Sequence, residues 1–457
     1  MKKVHIMPAS ANTIAPFRYV AVKYGANTEE KLWTVSREHG VNAVYLPDRT
    51  VYEGNPNSMT LGVTSVDYDE ILPLSLTNPE SFSKVTGVGY AMLAPDRSAK
   101  GIKRNPYVKI FSDSGGFQLA QGVRDFVDLD ELASFYHAHV DFGIGLDVPL
   151  SPGLQNSEWF LRMAKVTALN NAYITRKLAE KKSSAMVLDV SHGLIPTNRR
   201  KYNEFVLANQ GSRGMAIGGV GNSVVDTQYV NFVSSVLNML LTLHMSKGCY
   251  DRYHMLGSTS PNMIMLYTLF TEQGLAPLIT ADSTTYLRAS VNSTFKGPRY
   301  SSDSVPVQYT LPAKPISFGL PCACPVCSIL KFPQAHRLSV SASILHSLNS
   351  MTEEAEVIMD MTKCFLKGQV KLDEILYFIH GSRVANLNLV RRVVRWVQDQ
   401  DLGFNKAWAK HKDILSPYVR SENQGQGLFG GVARKPSPKD AVTTKAIERY
   451  EEFHAKT

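Results

Sequence analysis

Short apolar runs alternate with longer amphipathic segments along most of this chain after residue 107. Apolar runs of this length are typical of buried strands, whereas apolar positions three and four residues apart predict helices. The runs end in polar or glycine-rich clusters, which are residues 113–118 (DSGGFQ), Asp147, residues 191–193 (SHG), 218–221 (GGVG), 256–261 (LGSTSP) and Asp282. Helices are predicted between these clusters, and the longest covers residues 158–181.

The repeated order of strand, polar loop and helix predicts a parallel sheet. Residues 41–46 and 71–76 have the composition of two further strands nearer the N-terminus. We therefore expect an α/β fold of the (β/α)8 TIM-barrel type, with an open doubly wound sheet as the alternative. No GxGxxG follows the first strand and no GxxxxGK[ST] occurs, so the pattern disfavours a nucleotide-cofactor fold.

Two stretches interrupt the alternation and suggest the domain organisation. Residues 297–332 are rich in proline, glycine and cysteine, which predicts a small zinc-binding subdomain over about 297–350, inside a barrel domain of residues 1–400. Residues 401–457 are expected to form a basic, helical C-terminal extension. This extension is predicted to be partly flexible, because residues 422–439 have the composition of a linker.

Charge and composition narrow the class of protein. The chain has 457 residues, of which 44% are hydrophobic and 19% are charged, as in soluble globular enzymes. Its formal net charge of +9 suits a polyanionic partner. No apolar run is long enough for a membrane span and no signal-peptide core is present, so a cytoplasmic protein is expected.

The cysteines point to a metal site. Only five occur, and three of them form the cluster Cys322-x-Cys324-x-x-Cys327. Three thiolates this close together can share one ion, and a tetrahedral structural zinc needs a fourth ligand. His346 is the preferred fourth ligand and His336 is the competitor.

Three acids share one context in the sequence, because Asp113, Asp147 and Asp282 each follow or end an apolar strand. In a barrel, the carboxyl ends of all strands face the same mouth. Carboxylates in one pocket can divide the roles of nucleophile and acid–base catalyst, as attack on the anomeric carbon of a glycoside or nucleoside requires. Each acid taken singly also fits a helix cap or a solvated surface position.

Taken together, these motifs resemble the tRNA-guanine transglycosylase superfamily. The resemblance rests on DSGGFQ, GGVG, LGSTSP, the strand-end Asp282 and the CxCxxC cluster with its distal histidine, over roughly residues 105–350. Members of that family are zinc-containing (β/α)8 barrels that exchange a guanine in nucleic acid for a 7-deazaguanine base.

The resemblance implies specific roles for the residues in these motifs. Asp282 would be the nucleophile that attacks C1′ and holds the sugar covalently, and Asp113 would be the general base for the incoming base. Asp147 would bind the N1–H and amino edge of the base, because a carboxylate can accept from two donors. The other expected substrate-binding residues are Ser114, Phe117, Ser191, His192, Gly219, Val220 and Leu256.

Two departures from the family pattern favour its DNA-acting branch. The sequence Ser191-His192-Gly193 stands where the family usually has Gln-Gly-Gly. Only 18 residues separate Cys327 from His346, which implies a shorter zinc subdomain than in the tRNA enzymes. Both features resemble the 7-deazaguanine DNA transglycosylases of bacteria and phages, so we expect replacement of guanine in DNA by a preQ0-type base.

The expected partners are therefore DNA and a free 7-deazaguanine base such as preQ0, with a second copy of the chain or accessory modification proteins as further candidates. One alternative is a tRNA-guanine transglycosylase of the queuosine or archaeosine type. Another is a catalytically inactive barrel subunit that binds nucleic acid, although the presence of all three acids argues against it. The expected compartment is the bacterial cytoplasm, or the host cytoplasm if a phage encodes the protein.

Several basic residues are candidates for phosphate contacts, because extruding a nucleotide from a duplex costs a few kcal/mol that such contacts can offset. The candidates are Arg288, Lys296, Arg299 and the stripe of Arg391, Arg392 and Arg395. The alternative interpretation of the stripe is an ordinary solvated helix face.

Overall fold

The structure is a computed structural model. It describes residues 17–22, 43–46, 109–112, 114–121, 126–148, 154, 157–220, 229–258, 260–283, 294–296, 308–310, 355, 357–380, 387–419 and 438–457. The predicted strand at residues 71–76 lies outside these ranges.

The described strands show an α/β fold with a curled parallel sheet. Its strands are β1 (Phe17–Val22), β2 (Ala43–Leu46), β3 (Lys109–Ser112), β4 (Phe142–Ile144), β5 (Met186–Ser191), β6 (Gly214–Ile217), β7 (Arg252–Met255) and β8 (Ile279–Ser283). Each strand pairs in parallel with the next, and β8 also pairs with β1, where Asp282 is opposite Val20. A separate antiparallel pair consists of β9 (Thr294–Lys296) and β10 (Gln308–Thr310).

Helices alternate with strands β3 to β8 and then continue as a helical C-terminal region. The helices are α1 (Gly116–Gln121), α2 (Leu129–His139), α3 (Glu158–Glu180), α4 (Pro196–Ala208), α5 (Tyr229–Met245), α6 (Pro261–Glu272), α7 (Leu372–His380), α8 (Leu387–Gln398), α9 (Phe404–Leu415) and α10 (Pro438–Lys456). Two short 3-10 turns, Asp399–Leu402 and Ser416–Tyr418, flank α9.

Local chemistry accounts for where several of these helices begin. Asp128 caps α2, because its side chain accepts hydrogen bonds from the backbone N–H groups of Asp130 and Glu131 at 2.8 and 3.0 Å. Pro196 and Pro261 open α4 and α6, where the missing N–H of proline costs nothing.

The core lies between the sheet and its helices, and one helix is covered on both sides. Every residue of α6 from Met263 to Phe270 is buried. A helix that is apolar all round needs a second layer over its outer face. Helix α8 provides that layer with seven buried residues, among them the fully buried Trp396.

The last helix, α10, packs against α1 and α3. The hydroxyl of Tyr450 accepts from the N–H of Val127 and donates to its carbonyl oxygen, both at 2.9 Å. The guanidinium of Arg162 on α3 pairs with the carboxylate of Glu451. The helix begins at Pro438, at the end of the 422–439 stretch that has the composition of a linker.

Most predicted elements match the structure closely. The prediction of a strand at 41–46 is confirmed as β2, and the helix predicted at 158–181 is confirmed as α3. Strand β1 was not predicted, because FRYVAV carries an arginine and shows no clean alternation. No helix among the described residues is long and apolar enough to cross a membrane.

Candidate functional site

The candidate site lies at the carboxyl ends of the parallel strands, where the polar clusters follow. Backbone hydrogen bonds continue beyond the strands, from the N–H of Gly218 to the carbonyl of Ser191 (2.8 Å) and from Leu256 to Ile217 (3.1 Å). The segments after β5, β6 and β7 are therefore held side by side, although they are far apart in sequence.

The turn after β3 lies directly against the segment after β4. A Cβ atom placed on Gly116 would be 2.7 Å from the carboxylate Oδ1 of Asp147 and closer still to its carbonyl oxygen. Only glycine fits at this position, so the close approach explains the second glycine of DSGGFQ. Ser114 and Asp147 are both buried, with 2% and 7% of their surfaces exposed.

Side chains from the helices hold the segment that leads to Asp147. The hydroxyl of Tyr136 donates to the carbonyl of Ile144 at 2.7 Å, and Nδ2 of Asn170 donates to the carbonyl of Leu146 at 3.2 Å. Because one carbonyl belongs to the last residue of the short strand β4 and the other lies beyond it, both need partners from elsewhere. The backbone before Asp147 is thus fixed from α2 and α3.

The ring of His192 packs against the glycines that follow β6. A Cβ on Gly218 would be 2.9 Å from Cδ2 of His192 and 3.5 Å from Cδ1 of Leu256, and a Cβ on Gly219 would be 3.3 Å from Cε1 of His192. Gly219 also has φ +73°, a conformation that other residues adopt at a cost. Three predicted site residues, His192, Gly219 and Leu256, therefore meet around Gly218. Val220, which follows, is fully buried.

His192 is held as a neutral imidazole. Burial lowers the pKa of His192 to about 3, and the nearby charge of Arg199 acts in the same direction. Its Nδ1 is buried and makes no hydrogen bond. A neutral ring with a spare nitrogen can donate or accept one hydrogen bond, according to its tautomer.

Arg199 is a buried cation that ties two of the loops together. It comes from the first part of α4 and is fully buried. Its Nη2 donates to the carbonyls of Gly193 (2.8 Å) and Gly218 (2.6 Å), and its Nη1 donates to Oγ of Ser191 (3.0 Å). No ion pair among the described residues includes Arg199. Burial lowers its pKa to about 9, so the guanidinium stays charged at neutral pH.

A buried network of hydrogen bonds connects the loop after β5 to α5 as well. Ser191 donates to Oδ1 of Asn203, whose Nδ2 donates to Oγ1 of Thr242 at 3.1 Å. Asn238 donates to the carbonyl of Leu194 at 3.1 Å. The hydroxyl of Ser191 therefore points to the helix layer, and alternation along the strand directs His192 to the opposite face.

Tyr202 on α4 is fully buried and packs edge-on against Phe160, with ring centroids 5.9 Å apart. Burial raises its pKa well above the usual value, the charge of Asp147 raises it further, and the charge of Arg199 lowers it. The phenol therefore senses both charged groups and stays protonated at neutral pH. This places the segment after β4 and the loops after β5 and β6 in one electrostatic environment.

The sequence reasoning missed Arg199, Asn203 and Asn238, which position the loops. One signal was available for Arg199. A cation near the N-terminus of a helix opposes the helix dipole, so an arginine there, just after Pro196, needs a compensating role. The two asparagines carry no comparable signal, because their partners are distant in sequence.

Other predicted residues have no described side chain. Asp282 is part of β8 and Phe117 is part of α1, and only their places in the backbone are described. Asp113, Cys322, Cys324, Cys327, His346 and the competing His336 lie outside the described residues. Within the described part of the chain, no group of three His, Cys, Asp or Glu side chains could hold a metal ion.

The fold and the site define an α/β protein with a curled parallel sheet and a cluster of buried polar side chains at the carboxyl ends of its strands. No known protein-family model matches this chain, and no curated protein sequence matches it either.

Proposed function

We propose that this protein is a base-exchange transglycosylase that replaces guanine in DNA with a 7-deazaguanine base through a covalent aspartyl–sugar intermediate. The observation that carries the proposal is the contact between Gly116 and Asp147. It brings the turn that follows Asp113 to a buried carboxylate just beyond the next strand. The motif resemblance supplies the reaction, and this juxtaposition supports its placement.

The backbone positions of the three acids support a common site. Asp282 is the second-last residue of β8, Asp147 follows β4 and Asp113 follows β3. Asp147 and Asp282 therefore belong to the same edge of a parallel sheet, where the chemistry of such folds takes place, and Asp113 directly follows the end of β3 in the sequence.

The proposed reaction has two displacements. A carboxylate oxygen of Asp282 forms a bond to C1′ while the C1′–N9 bond of guanine breaks, and the electron pair leaves on N9, which takes up a proton from the carboxyl group of Asp113. Asp113 then removes a proton from N9 of the incoming 7-deazaguanine, which attacks C1′ and releases the Asp282 carboxylate.

Base recognition follows from the buried groups at the centre of the site. Asp147 would accept from N1–H and the exocyclic amine of the base, and its burial strengthens such charge-assisted hydrogen bonds. His192 replaces the glycine of the family motif and offers a neutral hydrogen-bonding ring. This difference suits a preQ0-type base, whose C7 substituent presents a polar group that guanine lacks.

The proposal also includes a complete (β/α)8 barrel with a zinc-binding subdomain. The closed strand order would then be the barrel of a complete (β/α)8 fold, including helices after β1 and β2. A structural zinc held by Cys322, Cys324, Cys327 and His346 would form the subdomain inserted after β8. The zinc would stabilise that subdomain and take no part in the exchange.

Trapping the covalent intermediate tests the proposal directly. The protein is incubated with DNA or with tRNA, denatured, and analysed for a nucleic-acid adduct, in parallel with incorporation of labelled guanine. We expect an adduct with DNA that disappears in Asp282→Asn. Asp251→Asn is the matched control, because Asp251 precedes β7 at the opposite edge of the sheet and forms an ion pair with Arg213.

Each outcome has a definite meaning. A faster reaction with tRNA would transfer the same chemistry to the tRNA alternative. An adduct that persists in Asp282→Asn would remove this residue from the nucleophile role. No adduct and no exchange with either polymer, from protein that is folded, would favour the inactive subunit.

A further inference from the structure

A groove lined by three arginines lies between α8 and α9. Its volume is about 410 Å³, and we call it the arginine groove. The residues that line it are Asn388, Leu389, Arg391, Arg392, Arg395, Ile414 and Tyr418. It includes the stripe of Arg391, Arg392 and Arg395, for which the sequence allowed two interpretations, namely phosphate binding and an ordinary solvated helix face.

Two of the three guanidinium groups are uncommitted. Arg391 donates to Asp373 at 2.7 Å and to Asn388 at 2.8 Å, so its charge is already paired. No hydrogen bond or ion pair among the described residues involves Arg392 or Arg395, and Nε of Arg392 is buried without a partner. Both guanidinium groups therefore have donors that no described residue uses, and a bound phosphate could accept hydrogen bonds from them.

Helix α8 contributes no negative charge to the groove. Its sequence, LNLVRRVVRWVQ, contains three arginines and no acid. The apolar side of the helix is occupied by the core, where Trp396 packs against Trp408 with ring centroids 5.2 Å apart. The arginines are therefore the only charged groups that α8 presents, and they lie together on its other side.

The groove lies toward the same end of the molecule as the candidate site. Helices α6 and α8 pack together, and their C-terminal ends meet where Gln273 donates to the carbonyl of Gln398. The N-terminal ends of both helices therefore point the same way, and α6 begins just after the carboxyl end of β7. On the other wall, the carbonyl of Tyr418 accepts from Ser234, near the start of α5, which follows β6.

We propose that the arginine groove binds backbone phosphates of duplex DNA next to a nucleotide bound at the candidate site. Arg392 and Arg395 would each contact a phosphate, and Arg391 would keep its pairing with Asp373. The positive charge of the groove and its position toward the same end of the molecule as the candidate site support phosphate binding. The choice of DNA as the polymer rests on the proposed function. Such contacts fix the register of a duplex without reading its sequence.

The salt dependence of DNA binding tests the proposal. Binding of a fluorescein-labelled duplex is measured by anisotropy between about 50 and 200 mM salt. For Arg392→Gln/Arg395→Gln we expect at least roughly ten-fold weaker binding at the lower salt concentration and a salt slope smaller by about 2. The exposed Arg395→Gln alone should show about half of the change in slope, and it covers the case in which the double variant fails to fold.

The matched control is Lys247→Gln/Lys406→Gln. It removes the same charge from exposed positions after the end of α5 and at the start of α9, away from the candidate site. An equal loss of affinity in this control would show that net charge alone matters, and it would overturn the proposal. Unchanged affinity in the arginine variants or no DNA binding by the parent protein would also overturn it.

The experiments can reject the arginine groove and the proposed base exchange independently of each other. Groove-dependent DNA binding by a protein that exchanges no base would retain the DNA-binding surface and reject the transglycosylase assignment. Base exchange that is insensitive to the arginine substitutions would retain the transglycosylase and reject the groove.

Discussion

The backbone of Gly116 lies against the carboxylate of Asp147, and this contact links the DSGGFQ motif to a buried acid just beyond the next strand. A methyl group on Gly116 would overlap backbone atoms of Asp147, which cannot yield as a flexible side-chain tip can. We expect Gly116→Ala to displace Asp147 and to reduce base exchange by at least ten-fold, because catalysis depends on accurate positioning. The KM for the free base should rise.

The control for this substitution is Gly211→Ala. Gly211 precedes β6 at the far edge of the sheet, and a Cβ there would be 3.2 Å from a methyl group of Thr175, which can move aside. This variant should retain its exchange rate. Equal kinetics of Gly116→Ala and Gly211→Ala would show that the contact between Gly116 and Asp147 is not needed for base exchange.

Arg199 gives a second prediction, because it joins the loops after β5 and β6. In Arg199→Met, the carbonyls of Gly193 and Gly218 would lose their buried donor. We expect a loss of stability of about 1–3 kcal/mol, limited because a costly buried charge is removed as well. The KM for the base should rise more than kcat falls, and Arg199→Lys should recover part of the affinity.

The neighbouring Arg200 provides a matched comparison, since it is exposed on the same helix. Arg200→Met should leave both thermal unfolding and kinetics within error of the parent protein. A change in stability without any change in KM for Arg199→Met would reduce Arg199 to a purely structural residue.

The contrast between Gly116 and Arg199 shows how much of the candidate site could be predicted from the sequence. Gly116 belongs to a local motif, so a strand followed by DSGGFQ predicted a tight, functional turn. The strand ends at Asp147 and His192 were predictable in the same way, because period and turn chemistry are local properties. Arg199 acts on carbonyl groups from two other segments, and only the tertiary structure shows which groups those are.

In the C-terminal region, too, the sequence predicted the local structure but not the tertiary contacts. The Gly/Pro-rich composition of 422–439 predicted a partly flexible extension, yet the helix that follows it is fastened to Val127 by Tyr450 across 323 positions of the chain. Propensity indicates that α10 is a helix. Its docking depends on a complementary surface formed by α1 and α3, which no local pattern reports.

Asp189 should make stability depend on pH. Burial raises its pKa to about 7, although a hydrogen bond from Tyr250 at 2.9 Å partly opposes the rise. In the unfolded chain its pKa is near 4, so this group stabilises the fold fully below about pH 4 and the stabilisation is lost as pH rises to about 7. Asp189→Asn cannot ionise, so its stability relative to the parent should increase over that range.

The measurement is denaturant unfolding of both proteins between about pH 4 and 8. The difference between them should grow by up to about 4 kcal/mol as pH rises, because other titrating groups cancel in the comparison. A constant difference across the range would mean that Asp189 is ionised in the folded protein.

The zinc prediction concerns residues outside the described part of the chain. Cys324→Ala should abolish stoichiometric zinc binding, measured by metal analysis, and should yield unstable or insoluble protein, because binding of a structural zinc contributes directly to folding. Cys249→Ala is the control, since Cys249 is a free, exposed cysteine. Zinc-free parent protein would reject the site, and retention of zinc by His346→Ala together with its loss in His336→Ala would reassign the fourth ligand.

The final prediction joins the C-terminal helix to the candidate site through Asn170. The side chain of Asn170 donates to the carbonyl of Leu146, next to Asp147, and its Oδ1 is 2.7 Å from Nε2 of His454 on α10. In Asn170→Ala, both hydrogen bonds would be lost and the Leu146 carbonyl would be left without this donor. We expect a loss of about 2–3 kcal/mol in unfolding free energy and a raised KM for the free base.

The adjacent Asn171 separates this effect from the cost of any buried truncation. It is as deeply buried, but neither its amide nitrogen nor its amide oxygen has a hydrogen-bond partner. Asn171→Ala therefore removes no hydrogen bond and should cost less stability, with KM unchanged. His454→Ala should reproduce part of the KM change if α10 acts on Asp147 through Asn170. A parent-like KM in both Asn170→Ala and His454→Ala would show that α10 only stabilises the fold.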